Sequence, residues 1–224
     1  MFLGTASRIG WRELRASTGK FLFVIFAVAI GVAALSGVKG FGYAFKGMLV
    51  RNAKQLIAAD LQAQVWQQPS PEEAAQMAVL SKRFGVMTRV TELESMAASV
   101  KDGTPKMISI KAVDPESYPF YGVLKLQPAE PLAELLKDDA SVVVTPELLM
   151  RLRVSPGDRI RLGGQEYGIT GTLLTEPDRL ASGFRPGMRV LMSRSGLARS
   201  GLIQFGSRAA ERFLFRLRPA ADLD

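Results

Sequence analysis

The chain has 224 residues, a formal net charge of +8, 47% apolar residues and 22% charged ones. That is enough to bury a core, and the composition is that of a folded protein rather than a disordered one. It contains no cysteine and no histidine, which excludes disulfides, thiolate nucleophiles, cysteine-based metal sites and Ser-His-Asp chemistry, and leaves little for a hydrolase or metalloenzyme to work with.

The basic residues are scattered, not gathered on one face among aromatics, so no nucleic-acid partner is expected. Those beside the apolar segment suit anionic lipid headgroups. Residues 7–17 read as a short amphipathic helix, with Trp11 and Leu14 one turn apart among Arg8, Arg12 and Arg15. Trp favours the membrane interface, so residues 1–20 are expected to lie on the bilayer surface.

Residues 21–38 read FLFVIFAVAIGVAALSGV, 18 positions without a charge, which meets the length needed to cross a bilayer as a helix. Phe21, Leu22, Phe23, Val24, Ile25, Phe26, Val28, Ile30, Leu35 and Val38 would face lipid. Lys20 and Lys39 bracket the run and can snorkel to the headgroups. A cleaved signal peptide is the competing reading; the apolar run exceeds a signal h-region and the basic stretch before it is long, which favours an anchor. Charge does not settle orientation, since both flanks carry four Lys or Arg. Helical spacing continues through Phe41, Phe45, Met48, Leu49 and Leu56, so residues 21–57 are expected to form one helix of roughly 55 Å. That is longer than a hydrocarbon core of about 30 Å, and its outer part would form a stalk.

An α+β domain should occupy 58–218, with 219–224 as a tail. Residues 60–66 alternate as a strand. Ser70-Pro71-Glu72-Glu73 is a capping box with Pro at the first helical position, and Gly85 suits the end of that helix. Residues 86–93 and 95–100 are strand-like, Asp102-Gly103 signals a hairpin turn, and 106–113 returns. Prolines 115, 119, 128 and 131 break the middle. A short helix around Leu132, Leu135 and Leu136, a strand at 141–144, a helix after Thr145-Pro146 and a hairpin at 159–174 follow, with Ile160, Leu162, Tyr167 and Ile169 facing a core. Residues 179–187 read as loop, and 189–192, 195–200 and 212–217 as a second β-α-β unit.

No Gly-x-x-x-x-Gly-Lys-Ser/Thr loop is present, Ser17-Thr18-Gly19-Lys20 being a fragment that runs into the span. Gly40 and Gly42 lack the strand context of a dinucleotide site. No catalytic residues, cofactor or metal are expected. Glu92 and Glu94 share a strand face but read as a solvated edge, and Arg212, Arg216 and Arg218 read as surface charge.

Several strings nevertheless resemble one family: Trp11-Arg12-Glu13-Leu14-Arg15 before the span, Ile57-Ala58-Ala59-Asp60-Leu61 after the stalk, Lys111-Ala112-Val113-Asp114 with Tyr118-Pro119-Phe120-Tyr121-Gly122, Val154-Ser155-Pro156-Gly157-Asp158-Arg159-Ile160, and Glu176-Pro177-Asp178-Arg179. Together these resemble the N-terminal part of FtsX-like, MacB-type ABC transporter permeases, in their YbbP-like branch. The resemblance implies an inside N-terminus, a periplasmic core domain of two β-α-β units with an inserted subdomain at about 115–185, and a site on the cytoplasmic membrane. It also implies a separate ATPase subunit, further spanning helices or a second permease copy, and mechanical rather than channel-like movement of a lipid, lipoprotein or other amphiphile. The alternative is a membrane-anchored sensory or ligand-binding domain without a transporter.

Overall fold

The computed structural model describes residues 18–66, 69–179, 187–204 and 207–218. The expected interfacial helix with Trp11, Arg12 and Arg15, the 219–224 tail and most of the 179–187 loop lie outside the described residues. The chain divides into two units between Asn52 and Ala53.

The first unit consists of most of helix α1 (Thr18–Ile57, 40 residues), about 60 Å long at 1.5 Å per residue. It carries a stretch, Thr18–Met48, long and apolar enough to cross a membrane, and none of that stretch is buried. The ten residues expected to face lipid are each between 49% and 75% exposed, which an aqueous surface would not tolerate at this density. Lys20 and Lys39 are exposed on the same helix, and Phe41 and Phe45 stack at 5.9 Å one turn apart.

The second unit is built on one nine-stranded sheet. Strand β1 (Leu61–Val65) leads to helix α2 (Pro71–Phe84), where Ser70 accepts from the Glu73 amide and Glu73 from the Ser70 amide, completing the capping box. Gly85 does follow α2, but with φ 169°, extended and not left-handed. A Cβ there would lie 2.0 Å from the Arg216 carbonyl oxygen, so the glycine is required by a neighbouring strand and not by the helix end. Strand β2 (Gly85–Ser99) is one unbroken element where two were expected; nothing at Glu94 supplies a turn, and the strand simply changes neighbours along its length. Strands β3 (Pro105–Val113), β4 (Lys125–Gln127), helix α3 (Leu132–Leu135) and strand β5 (Ser141–Val144) follow. Helix α4 (Pro146–Leu152) begins after Thr145, whose hydroxyl makes no cap and instead accepts from the Arg189 amide at 3.1 Å. Strands β6 (Arg159–Leu162) and β7 (Gln165–Thr175), β8 (Arg189–Ser193), α5 (Arg194–Ser200) and β9 (Ala210–Leu217) complete the order.

The topology follows from pairing. The last strand, β9, lies between β1 and β2, antiparallel to both, so β1-α2-β2 is a β-α-β unit split by a third strand. From β2 the sheet continues β3, β8, β5, β7. The hairpin β6–β7 then returns, and β6 pairs with β2 through Ala97–Leu162, Ala98–Arg161 and Ser99–Ile160. Strands β2, β3, β8, β5, β7 and β6 thus close into a ring. Its interior is one apolar cluster that includes Leu93, Ile108, Ile110, Val142, Ile160, Leu162, Tyr167, Ile169, Val190 and Met192. Tyr167 places its hydroxyl on the Gly196 carbonyl at 2.8 Å, satisfying the one polar atom it carries inward. Residues of opposite parity, including Val113, Val143 and Leu191, join Ala58, Ala59, Tyr118 and Leu135 in a second cluster on the outer face, and Leu173 joins them because the register of β7 shifts after Ile169.

Candidate functional site

Two arrangements of polar side chains stand out against this apolar frame, and the strand register builds both. In the first, Glu92 on β2 pairs with Lys111 on β3, while Arg189 on β8 and Arg212 on β9 occupy neighbouring rungs of the same sheet face. The turn after β7 brings Glu176 and Asp178 over this row, and the turn after β3 brings Tyr118. Lys111 donates to Glu176 at 2.5 Å, to Tyr118 at 2.6 Å and to Asp178 at 2.7 Å. Arg189 reaches Glu176 at 2.6 Å. Arg212 reaches Glu92 and Asp178, each at 2.8 Å. All six charged residues are at most 7% exposed, and three cations face three carboxylates, so the cluster is neutral although desolvated. Burial resists ionisation of Asp178, but the charges of Lys111 and Arg212 and the hydrogen bonds from Lys111 and Tyr118 prevail and lower it to about 2. Burial, then the carboxylates of Asp178 and Glu176, push the Tyr118 phenol well above its ordinary value, so it stays a donor.

The expected solvated edge at Glu92 is corrected here, as is the expected surface role of Arg212: both are 1% exposed. Glu94, Arg216 and Arg218 are exposed as expected. Alternation misled because β2 and β9 are covered on both faces near their crossing, so neither face is a solvent face. Lys111 is the one charge in the apolar run Met-Ile-Ser-Ile-Lys-Ala-Val, and Glu211-Arg212 is an adjacent charged pair running straight into Phe-Leu-Phe, and that was the available signal.

Some of the motif residues of the sequence meet at or beside this cluster. Gly122, at φ 89°, lies against Pro177, so closely that a Cβ would stand 2.3 Å from the proline Cβ. Pro177 is thereby held between Glu176 and Asp178. Asp114 offers its carbonyl to the amides of Ser117 and Tyr118 at 3.1 and 3.0 Å, forming the turn that carries Tyr118 and Pro119 inward. Arg179 is exposed. Gly157 and Asp158 lie apart, in the turn before β6. Asp158 accepts from the Ser155 amide at 2.9 Å and from Lys101 at 2.7 Å, and Gly157 takes φ 95°.

The second arrangement is the joint where α1 becomes β1. Ala58 adopts a left-handed conformation, φ 55°, and with Ala59 is fully buried. Only small side chains fit a chain reversal so tightly covered. Asp60 then gathers three donors: Lys54 at 2.6 Å, the Tyr121 hydroxyl at 2.7 Å and the Leu217 amide at 3.0 Å. Lys54 also stands 5.5 Å above the Tyr121 ring. Partial burial opposes ionisation of Asp60, but these donors outweigh it and hold the carboxyl below its ordinary value. The last turn of α1, the turn after β3 and the end of β9 therefore share one carboxylate.

Among the described residues no group of acidic or other ligating side chains could hold a metal ion.

A ring-closed sheet that follows an apolar N-terminal helix in the sequence defines a class, and comparison with known proteins supplies it. Residues 21–224 match the MacB-like periplasmic core domain family, and the chain belongs to that family. It is 27% identical over 206 residues to the uncharacterized ABC transporter permease YbbP of Escherichia coli (strain K12), covering 92% of this chain and 24% of that protein; the chain thus spans about a quarter of the length of this curated relative. Among solved structures it is similar to the periplasmic region of MacB from Actinobacillus actinomycetemcomitans (10% identity, 77% of this chain and 82% of that one, TM-score 0.49). It is also similar to the extracellular domain of the ABC-type transporter YknZ from Gram-positive bacteria (13% identity, 71% and 85%, TM-score 0.44). The resemblance to MacB-type ABC transporter permeases drawn from the sequence motifs is thus shown.

Proposed function

We propose that this chain is the N-terminal portion of an ABC transporter permease whose periplasmic core domain is moved by a separate ATPase subunit acting through α1. The N-terminus lies on the inner side of the cytoplasmic membrane, residues 58–218 form the outer domain, and the spans that complete the permease come from further helices or a second copy. The cargo is a lipid, lipoprotein or other amphiphile, handled without a through-membrane channel. The role of the motif residues is to shape the domain: Asp114, Tyr118, Pro119, Gly122, Glu176, Pro177 and Asp178 set the turns over the buried charges, Tyr121 completes the joint, and Gly157 and Asp158 set the turn into β6.

The observation that carries this reading is the Asp60 joint. A flexible tether would suffice to anchor a sensor. Here the helix end is instead tied by a carboxylate to two other parts of the sheet, with a buried left-handed reversal between, so displacement of the helix end must be taken up by the domain.

The test is reconstitution in lipid of the chain, with its additional helices, beside an ATP-binding subunit. The two should co-purify, and Asp60→Ala should leave ATP hydrolysis within about twofold while cargo movement falls by at least tenfold. Absence of any co-purifying ATPase, or unaltered cargo movement in Asp60→Ala, rejects the reading.

A further inference from the structure

A third polar group belongs neither to the buried cluster nor to the joint. Arg89 on β2 and Arg194 at the start of α5 both line two cavities, of about 380 and 280 Å³. The larger is also bounded by Met87, Thr88, Asp114 and Ser193.

The two arginines are close enough to repel. Burial, then the charge of Arg89, lowers the Arg194 guanidinium from its ordinary value, with the carboxylates of Glu211 and Asp114 opposing the shift in part. Arg89 is partly engaged: its Nη2 meets Glu211 at 3.2 Å and its guanidinium lies 5.2 Å over the Phe213 ring. Glu211 is already occupied by the Thr91 hydroxyl at 2.8 Å. The Arg89 Nε is buried without a hydrogen-bond partner. Arg194 makes no hydrogen bond or ion pair with any described residue. The Thr88 hydroxyl accepts from Ser117 at 2.6 Å, which leaves its own proton to be given. Two partly buried guanidiniums with unused N–H donors, offset only in part by Glu211 at the smaller cavity, are less favourably placed alone than around an oxyanion.

We propose that this cavity binds a phosphate group, its oxygens bridging Arg194 and Arg89 with Thr88 as a further donor. Asp114, exposed at the rim of the larger cavity, opposes the anion and sets an upper limit on affinity. The phosphate comes either free in solution or as a lipid headgroup, and the cavity has room for the headgroup while Met87, Val113 and Pro115 supply an apolar wall.

Isothermal titration of the full chain in nonionic detergent, at constant ionic strength, tests this with two probes, inorganic phosphate and dihexanoyl phosphatidic acid. Saturable binding of at least one probe is expected. Arg194→Gln should weaken it at least tenfold, Arg194→Lys should restore part of it, and Asp114→Asn should strengthen it about threefold. An exposed arginine elsewhere, changed by Arg161→Gln, should leave it unaltered, and an unchanged far-ultraviolet spectrum keeps the comparison among folded chains. Tighter binding of the lipid, displaced by phosphate, assigns the site to a headgroup; binding of phosphate alone assigns it to the free ion; both support the proposal. Non-saturable uptake of both probes, equal affinity in Arg194→Gln, or weaker binding in Asp114→Asn overturns it.

Discussion

Lys111 is the side chain on which most of the buried charge depends, since it touches both carboxylates of the 176–178 turn and the Tyr118 hydroxyl. Removing one partner of a buried ionic set leaves its opposite uncompensated, which costs about 3–5 kcal/mol. Lys111→Ala is therefore expected to lower stability by about that much in urea unfolding, whereas Lys101→Ala, which breaks an exposed pair with Asp158, should cost less than about 1 kcal/mol. Asp178 adds a pH dependence. Its folded value near 2 lies below the ordinary 3.8, so the unfolded chain takes up the proton first as pH falls. The stabilisation it provides is complete above pH 4 and is lost between about pH 4 and 2, amounting to about 2 kcal/mol. Unfolding free energies measured at pH 6, 4 and 2.5 check the direction. At this scale the sequence was informative in part. Glu176, Asp178 and Tyr118 were singled out as motif positions, but not that they converge, because convergence depends on two turns separated by some 60 residues. Glu92 and Arg212 were misplaced on the surface because a charged residue in an alternating strand is read as facing water unless its register is known.

At the scale of elements, most helices and strands were legible, and the reasons are local. The capping box, the Asp102-Gly103 turn and the glycine pair between β6 and β7 act within a few residues. What escaped was set by distant neighbours: β4, three residues long, exists by pairing with β7, and Thr145 serves Arg189 and not its own helix. Gly122 shows how an element boundary supports the charge cluster. Gly122→Ala would force an alanine to φ 89° and drive its Cβ into Pro177, displacing the turn that carries Glu176 and Asp178. The expected loss is at least about 2 kcal/mol from strain alone, read as a lowered thermal midpoint. At the joint, Asp60→Ala removes the acceptor shared by Lys54, Tyr121 and the Leu217 amide. Hydrogen exchange should then quicken at the end of α1 and at Leu217 while the amides of Val142–Val144 in β5 keep their protection.

At the scale of the whole molecule, ring closure ties β5 and β6 by hydrogen bonds to strands that lie outside residues 115–185, and the ring is expected to open as one cooperative object. A charge driven into the ring, as in Leu162→Arg at a fully buried site, should therefore abolish protection in β2, β3 and β8 together instead of loosening the β6–β7 hairpin alone; exchange mapped by mass spectrometry distinguishes the two outcomes. Ring closure was not legible in the order of residues, since it is a matter of which strand ends up beside which.

The position of β9 governs the order in which this domain can be made. Of the described strands it is the last to be synthesised, yet it fills the gap between the two earliest, and it brings Arg212 to Glu92 and Asp178. A nascent chain that has delivered everything up to Ser200 still holds β1 and β2 with no shared neighbour. Completion of the sheet must consequently wait until residue 217 has emerged, leaving an interval in which the half-built sheet is exposed to proteases and to chaperones.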